Sequence, residues 1–237
     1  MYLTRVFLDP SSGKVRYDAT NPDGLHKTVM RLFPDDLGPE PRRACAILHR
    51  LDESGPGRLM LLIQSLLPPN AGALPEGYVL DLARSPDLVF SGISDNPSIR
   101  DVTDERRSIS ARDQFHFRLK ANTTRKIGTK TDPEGKASNG RRVPLRGDEA
   151  RLVWLKRHAD AAGFTIRDVR IIEVAPRGRQ VRMAGALFDG VLEVCDPEVF
   201  RRSVQAGVGP GKAFGFGLLS LSRVRKAFEK PSFQMDL

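Results

Sequence analysis

The sequence predicts an α+β protein made of two βαββαβ units in tandem, and three observations carry that expectation. Residues 114–120 alternate, with Phe115, Phe117 and Leu119 on one face and His116, Arg118 and Lys120 on the other, the period of a half-buried strand. Strand-type and helix-type patterns run in the order βαββ(α)β over residues 1–122, and a second set of helix and strand patterns follows residue 143 in a similar order. Between them, residues 123–142 are rich in Lys, Arg, Gly, Thr and Asp and nearly free of large apolar side chains, which suits a mobile basic linker or loop.

Residues 2–8 read as the first strand. Asn21-Pro22 then opens a helix with a polar cap and a proline in its first turn. That helix is expected to run to about Phe33, with Leu25, Val29, Leu32 and Phe33 on one stripe and Pro34 past its end. Strands are expected at 43–49 and 58–65, joined by the Gly/Pro-rich turn 53–57. Residues 66–111, rich in Pro, Ser and Asp, predict irregular structure with one short helix. The strand at 114–120 then closes a ferredoxin-like unit, the plan of the common RNA-recognition module (RRM-like). Downstream of Val143-Pro144-Leu145, a helix at 148–162, strands at 164–174 and 181–195, a helix at 197–206 and a strand at 216–222 make the second. The expected division is a ferredoxin-like domain over 1–122, a basic linker over 123–142 and a second ferredoxin-like domain over 143–237, with a groove where the domains meet.

A chain of 237 residues is long enough to bury a substantial core. Its 38 Lys and Arg against 29 Asp and Glu leave a formal charge of +9, which suits a polyanionic partner. Only two cysteines occur, Cys45 and Cys195, both in apolar strand-like runs, so a disulfide framework and a zinc site of closely spaced thiols are both excluded. The N-terminus lacks the apolar core of a signal peptide and no run reaches the length of a membrane span, so a reducing cytoplasm is the expected location and no membrane the expected partner.

Between the last predicted helix and strand lies a glycine-rich loop with Gly207, Gly209, Gly211, Lys212, Gly215 and Gly217. It is not a Walker A loop, because Ala206 stands at the first glycine position and Ala213 replaces the Ser or Thr that would hold magnesium. It is not a dinucleotide fingerprint either, since Lys212 and Phe214 fall at the third-glycine positions. The glycines suit a tight turn between closely packed elements, and the backbone amides with Lys212 suit a phosphate or RNA; both readings stand together.

In the form GVGPGKAFGFGLLSL this loop resembles the C-terminal signature of the repeat-processing endoribonucleases of CRISPR systems, above all the CasE family of the type I-E Cascade complex. The resemblance extends over nearly the whole chain, through Met1-Tyr2-Leu3-Thr4, Leu25-His26, Leu62-Ile63-Gln64-Ser65, Phe117-Arg118-Leu119-Lys120-Ala121-Asn122, Trp154-Leu155 and residues 186–194. It implies two ferredoxin-like domains, binding of CRISPR repeat RNA as precursor and as mature crRNA, cleavage 3′ of the repeat hairpin, and retention of the product beside other Cascade subunits. No cofactor and no metal is implied.

Metal-free RNA cleavage uses the neighbouring 2′-OH as nucleophile, so it needs a base, a proton donor for the 5′-oxygen and positive charge around the phosphorane. His26 matches the family's catalytic histidine and lies just past the first turn of its predicted helix, where the helix dipole and the apolar border lower an imidazole pKa. An arbitrary histidine there is more often structural; the match reverses those odds. Relatives carry a tyrosine three residues earlier, where this chain has Asp23, which can orient the ring and raise its pKa or simply satisfy the helix dipole. Tyr17, upstream in an expected loop, is the candidate replacement for the phenol. Lys27 and Arg31, on a neighbouring helix face, are candidates for phosphate contact, as are Arg118, Lys120 and Lys212. His116 is the reserve acid or base, His49 and His158 read as surface residues, and Arg177, Arg179 and Arg182 form a basic hairpin tip suited to a duplex groove. A non-catalytic RNA-binding subunit of the same kind of complex is the rival reading.

Overall fold

Two antiparallel four-stranded sheets make up the protein, in a computed structural model that describes residues 1–55, 57–128, 140–177 and 183–224. The first sheet contains β1 (Tyr2–Leu8), β2 (Leu48–Glu53), β3 (Leu59–Ser65) and β4 (Ser98–Asp101), in the order β2-β3-β1-β4. The second contains β5 (Gln114–Ala121), β8 (Phe164–Arg177), β9 (Met183–Val194) and β10 (Leu219–Arg223), in the order β10-β5-β9-β8. A two-stranded ribbon joins β6 (Thr124–Ile127) to β7 (Arg141–Pro144). The helices are α1 (Gly13–Thr20), α2 (Pro22–Met30), α3 (Pro41–Ala44), α4 (Pro86–Phe90), α5 (Thr103–Arg107), α6 (Asp148–Ala161) and α7 (Pro197–Ala206).

The alternating strand β5 is where it was expected but in the other sheet. It pairs with β9 and β10, and its apolar face, Phe115, Phe117 and Leu119, packs with Trp154, Phe188 and Phe200. The place it was expected to fill beside β1 is taken by β4, inside a segment read as irregular. Alternation says which side chains share a face; it does not say which sheet the backbone joins. The change of sheet therefore falls between residues 102 and 113 and not at 122. In the segment expected as a linker, residues 124–127 pair with a strand that begins at Arg141 and ends at Pro144, and 129–139 lie outside the described residues.

Smaller departures have local causes. Helix α1 has a single buried apolar residue, Val15, too few to leave a helical stripe in the sequence. Helix α2 ends at Met30, and tight turns carry the chain through Phe33. The expected strand at 43–49 begins as the short helix α3, led by Pro41, and becomes extended only at Leu48. Cys45 follows α3 and is buried, whereas Cys195 lies just past β9 and is exposed.

The first sheet is covered on both faces. On one, Ile47, Leu51, Leu61 and Ile63 pack with Leu25 and Val29 of α2. On the other, Leu3, Leu48 and Leu62 meet Leu218, which precedes β10. Two buried polar residues on that second face fasten it to the second sheet. Arg50 holds Asp52 through Nε at 2.8 Å and donates from Nη1 to the carbonyls of Arg118 (3.1 Å) and Leu218 (3.2 Å). Gln64 donates to the carbonyl of Val204 at the end of α7 at 2.9 Å. Carbonyls that would otherwise be buried unpaired thus fix how the sheets sit together.

Candidate active site

The chain turns sharply between α1 and α2 because Asn21 caps the second helix, its side chain accepting from the Gly24 amide at 3.2 Å, with Pro22 in the first turn. Gly24 lets the helices touch: a Cβ there would lie 2.6 Å from Cε1 of Tyr17. Below them the buried Asp18 accepts from Thr28 Oγ1 at 2.7 Å and from the Tyr78 hydroxyl at 3.0 Å. Burial, with the Asp18 charge beside it, raises the Tyr78 pKa, so the phenol stays a donor. This network holds α2 two residues from His26.

His26 is half-buried, and its Nδ1 is buried without a hydrogen-bond partner, which leaves Nε2 as the nitrogen that can meet a ligand. Its pKa is lowered, chiefly by burial and then by the Arg42 charge; Asp23 opposes that and Lys27 adds to it. His49 of β2 stacks on it with ring centroids 6.1 Å apart. His49 was expected at the surface but is 1% exposed, because it shares a face of the first sheet with Leu51 and with Ile63, its partner on β3. Both its ring nitrogens are without partners, and burial, followed by the charges of His26, Lys120 and Arg42, lowers its pKa to about 3. The site thus offers neutral imidazole that can accept a proton, ringed by cations that can hold a phosphate.

The other expected residues divide into those near His26 and those elsewhere. Asp23 pairs with Lys27 at 2.8 Å rather than with the imidazole. Tyr17 belongs to helix α1, not to a loop, and its hydroxyl accepts from Asn21 Nδ2 at 2.6 Å. Arg31 caps α2 and, with His26, Lys27, Met30, Arg42 and Arg43, lines a pocket of about 460 Å³ between α2 and α3. Lys212 sits in a helical turn of the glycine loop that packs against α2, and burial followed by the charges of Arg42 and Arg43 lowers its pKa. Lys120 lies over the ring of Phe216 at 5.4 Å. Arg118 is held by Asp189 through two bonds of 2.6 and 2.8 Å. His116 is exposed four residues along β5 from Lys120, roughly 13 Å away at ordinary strand rise. Arg179 and Arg182 lie outside the described residues, as does the side chain of Arg177, whose backbone pairs with Met183.

All five of Gly207, Gly209, Gly211, Gly215 and Gly217 have positive φ. At Gly209, φ is +79° and a Cβ would lie 2.9 Å from the Trp154 ring, so conformation and close packing both demand glycine. Trp154 also carries His158 at 3.8 Å, so that histidine is a stacked, half-buried residue rather than a surface one. Beside it Arg125, Lys126, Arg142 and Arg157 line a second pocket of about 680 Å³ that ends on Gly209 and Pro210. These four arginines and lysines, like Arg42 and Arg43, escaped sequence reasoning because isolated basic residues look like any solvated surface. Among the described residues, no three His, Cys, Asp or Glu side chains gather where they could hold a metal ion, and no helix is long and apolar enough to cross a membrane.

Against this geometry, the family model described as CRISPR associated protein matches residues 1–223. The CRISPR-associated endoribonuclease Cse3 of Thermus thermophilus is 29% identical over 240 residues, covering 94% of this chain and all of that protein. The CRISPR system Cascade subunit CasE of Escherichia coli is 33% identical over 116 residues, 46% of this chain and 57% of that one. The structure of T. thermophilus Cse3 bound to an RNA representing a pre-cleavage complex superposes with a TM-score of 0.72 at 27% identity, over 93% of this chain and 98% of that one.

Proposed function

This chain belongs to the family of CRISPR-associated proteins, and on that footing we propose that it is the endoribonuclease that processes CRISPR repeat transcripts. It binds the repeat in the precursor, cuts 3′ of the hairpin and keeps the mature crRNA as a subunit of a Cascade complex in the cytoplasm. The likeness to Cse3 over 94% of this chain and all of that protein, and to the CasE subunit of Cascade over part of both chains, supports this reading. One observation carries the chemistry: His26, its pKa lowered by burial, opens on a pocket lined by Lys27, Arg31, Arg42 and Arg43.

The reaction is metal-independent. The 2′-OH upstream of the cut attacks the adjacent phosphorus, His26 moves a proton, and the surrounding cations hold the phosphorane charge. The products are a 2′,3′-cyclic phosphate and a 5′-hydroxyl. Asp23, an aspartate ion-paired to Lys27, has no phenol to offer, and Tyr17, bonded to Asn21 and packed on Gly24 at the start of α2, takes that role. The fold belongs to the same reading. Each sheet order, with the two edge strands last and second in chain order and the first and third strands between them, fits the ferredoxin-like plan. We divide the two units at residues 102–113.

The test is incubation of the protein with its own repeat RNA in excess EDTA. Cutting to a cyclic phosphate end is expected. A tight complex without cutting would establish the alternative, a non-catalytic RNA-binding subunit, which the Asp23–Lys27 ion pair in place of a tyrosine favours.

A further inference from the structure

The pocket between α2 and α3 has walls of two kinds. Met30, Pro34 and Pro41 supply apolar surface, and Arg31, Arg42 and Arg43 supply guanidinium groups, with Asp35 and Glu40 as acceptors at the edge. Flat apolar surface and guanidinium planes are what an unstacked base needs, and carboxylates can accept from its amino edge. Its volume, about 460 Å³, falls within the roughly 300–1,000 Å³ usual for small-ligand sites.

Its place along the molecule says which nucleotide it would take. The opposite end of α2, at Pro22, lines a cleft with Lys120, Met183, Phe214 and Phe216, where the helix meets the second sheet and the glycine loop. Farther along the glycine loop, Gly209 and Pro210 border the basic pocket of Arg125, Arg142 and Arg157. A cationic track therefore runs from the second unit across the loop and Lys212 to His26, and Arg42 and Arg43, close enough to Lys212 for their charges to act on it, extend the track into the α2–α3 pocket. The proposed function puts the cut at His26; with the hairpin seated on the basic pocket of Arg125, Arg142 and Arg157, the chain leaving the cut enters the α2–α3 pocket.

We infer that the pocket lined by His26, Met30, Pro34, Arg42 and Arg43 is a subsite for the single unstacked nucleotide immediately 3′ of the scissile phosphate, whose base it holds between apolar surface and guanidinium planes. By seating the leaving side of the bond, it keeps the 5′-oxygen in line with the attacking 2′-OH.

The full-length protein is titrated with its repeat RNA carrying a 2′-deoxyribose upstream of the cut, so that nothing is cleaved. Three forms are compared: ending at the cut, extended by one intact nucleotide, and extended by one abasic nucleotide. The intact extension is expected to bind about 5- to 30-fold more tightly than the abasic one. In the Arg42→Ala/Arg43→Ala variant that ratio is expected to fall below about twofold, while affinity for RNA ending at the cut, which reports an intact fold, changes less. Equal binding of intact and abasic extensions by the unaltered protein, or a ratio that survives in the variant, overturns the subsite. The 2′-hydroxyl RNA is run in parallel. Cutting without dependence on the base overturns the subsite alone, whereas dependence on the base without cutting supports the subsite and overturns the catalytic reading.

Discussion

The imidazole of His49 lies against that of His26, ring centroids 6.1 Å apart and planes 20° from parallel, with His49 1% exposed and His26 half-buried. One histidine is therefore sealed inside the first unit and the other shares its stack with solvent. The sealed ring fixes the plane of the open one, and a positive charge on either disfavours a charge on the other.

Replacing His26 by Ala is expected to slow single-turnover cleavage of repeat RNA by about 10²- to 10⁴-fold, the usual worth of a positioned acid or base. RNA affinity should stay within a few-fold, because the phosphate-binding cations are untouched. Rapid-quench kinetics and equilibrium titration on one preparation check both. Weakened binding with an unchanged cleavage rate would remove His26 from the chemistry.

The His49 pair predicts how stability depends on pH. His49 has a folded pKa of about 3 against an ordinary 6.5, so below pH 6.5 the unfolded chain takes up a proton that the folded chain does not. Its contribution to stability is complete above 6.5 and is lost as pH falls toward 3, at about 1.4 kcal/mol per pH unit. His49→Phe removes this proton and also two buried unpaired nitrogens, each costing about 1–3 kcal/mol. Urea unfolding at pH 7 and pH 5 should show the variant at least as stable as the parent at pH 7 and less sensitive to acid. Equal acid sensitivity of the two proteins would mean that His49 is protonated in the fold.

Arg50 joins the two sheets, so its loss should be felt globally. Arg50→Ala leaves Asp52 buried without its partner and the Arg118 and Leu218 carbonyls without a donor, at a cost of about 3–5 kcal/mol. Arg50→Met with Asp52→Leu removes both charges and should recover most of that loss. Denaturant titration of the two variants decides; equal destabilisation would show that the carbonyl contacts matter more than the ion pair.

Gly209→Ala is expected to destabilise by about 1–3 kcal/mol, since it puts a side chain at φ +79° and a Cβ 2.9 Å from Trp154. Because Gly209 and Pro210 border the pocket of Arg125, Arg142 and Arg157, RNA affinity should fall as well. A thermal melt and a binding titration read the two effects. An unchanged melt would mean that the ring moves aside freely.

Much of this could be read from residue order. The capped start of α2, the position of His26 past its first turn, the strand that follows residue 57, the helix at 197–206 and the glycine loop all follow from short-range rules of capping, periodicity and turn chemistry. The match of separated motifs in order pointed to the family before any contact was known. What those rules cannot reach is partnership at long range. Phe115, Phe117 and Leu119 announced a strand, but only pairing with β9 and β10 put it in the second sheet. His49 and Arg50, adjacent and both polar, read as the exposed end of a strand; packing on both faces of the first sheet buried one against His26 and the other against the second sheet. Arg42 looked like any surface arginine until the fold brought it to His26 and Lys212. The sequence by itself determined where α2, β3, β5, α7 and the glycine loop form and where His26 stands on its helix, because those depend on neighbours a few positions apart. The tertiary structure alone decided which faces are covered and which charges meet, because those depend on segments tens of residues away.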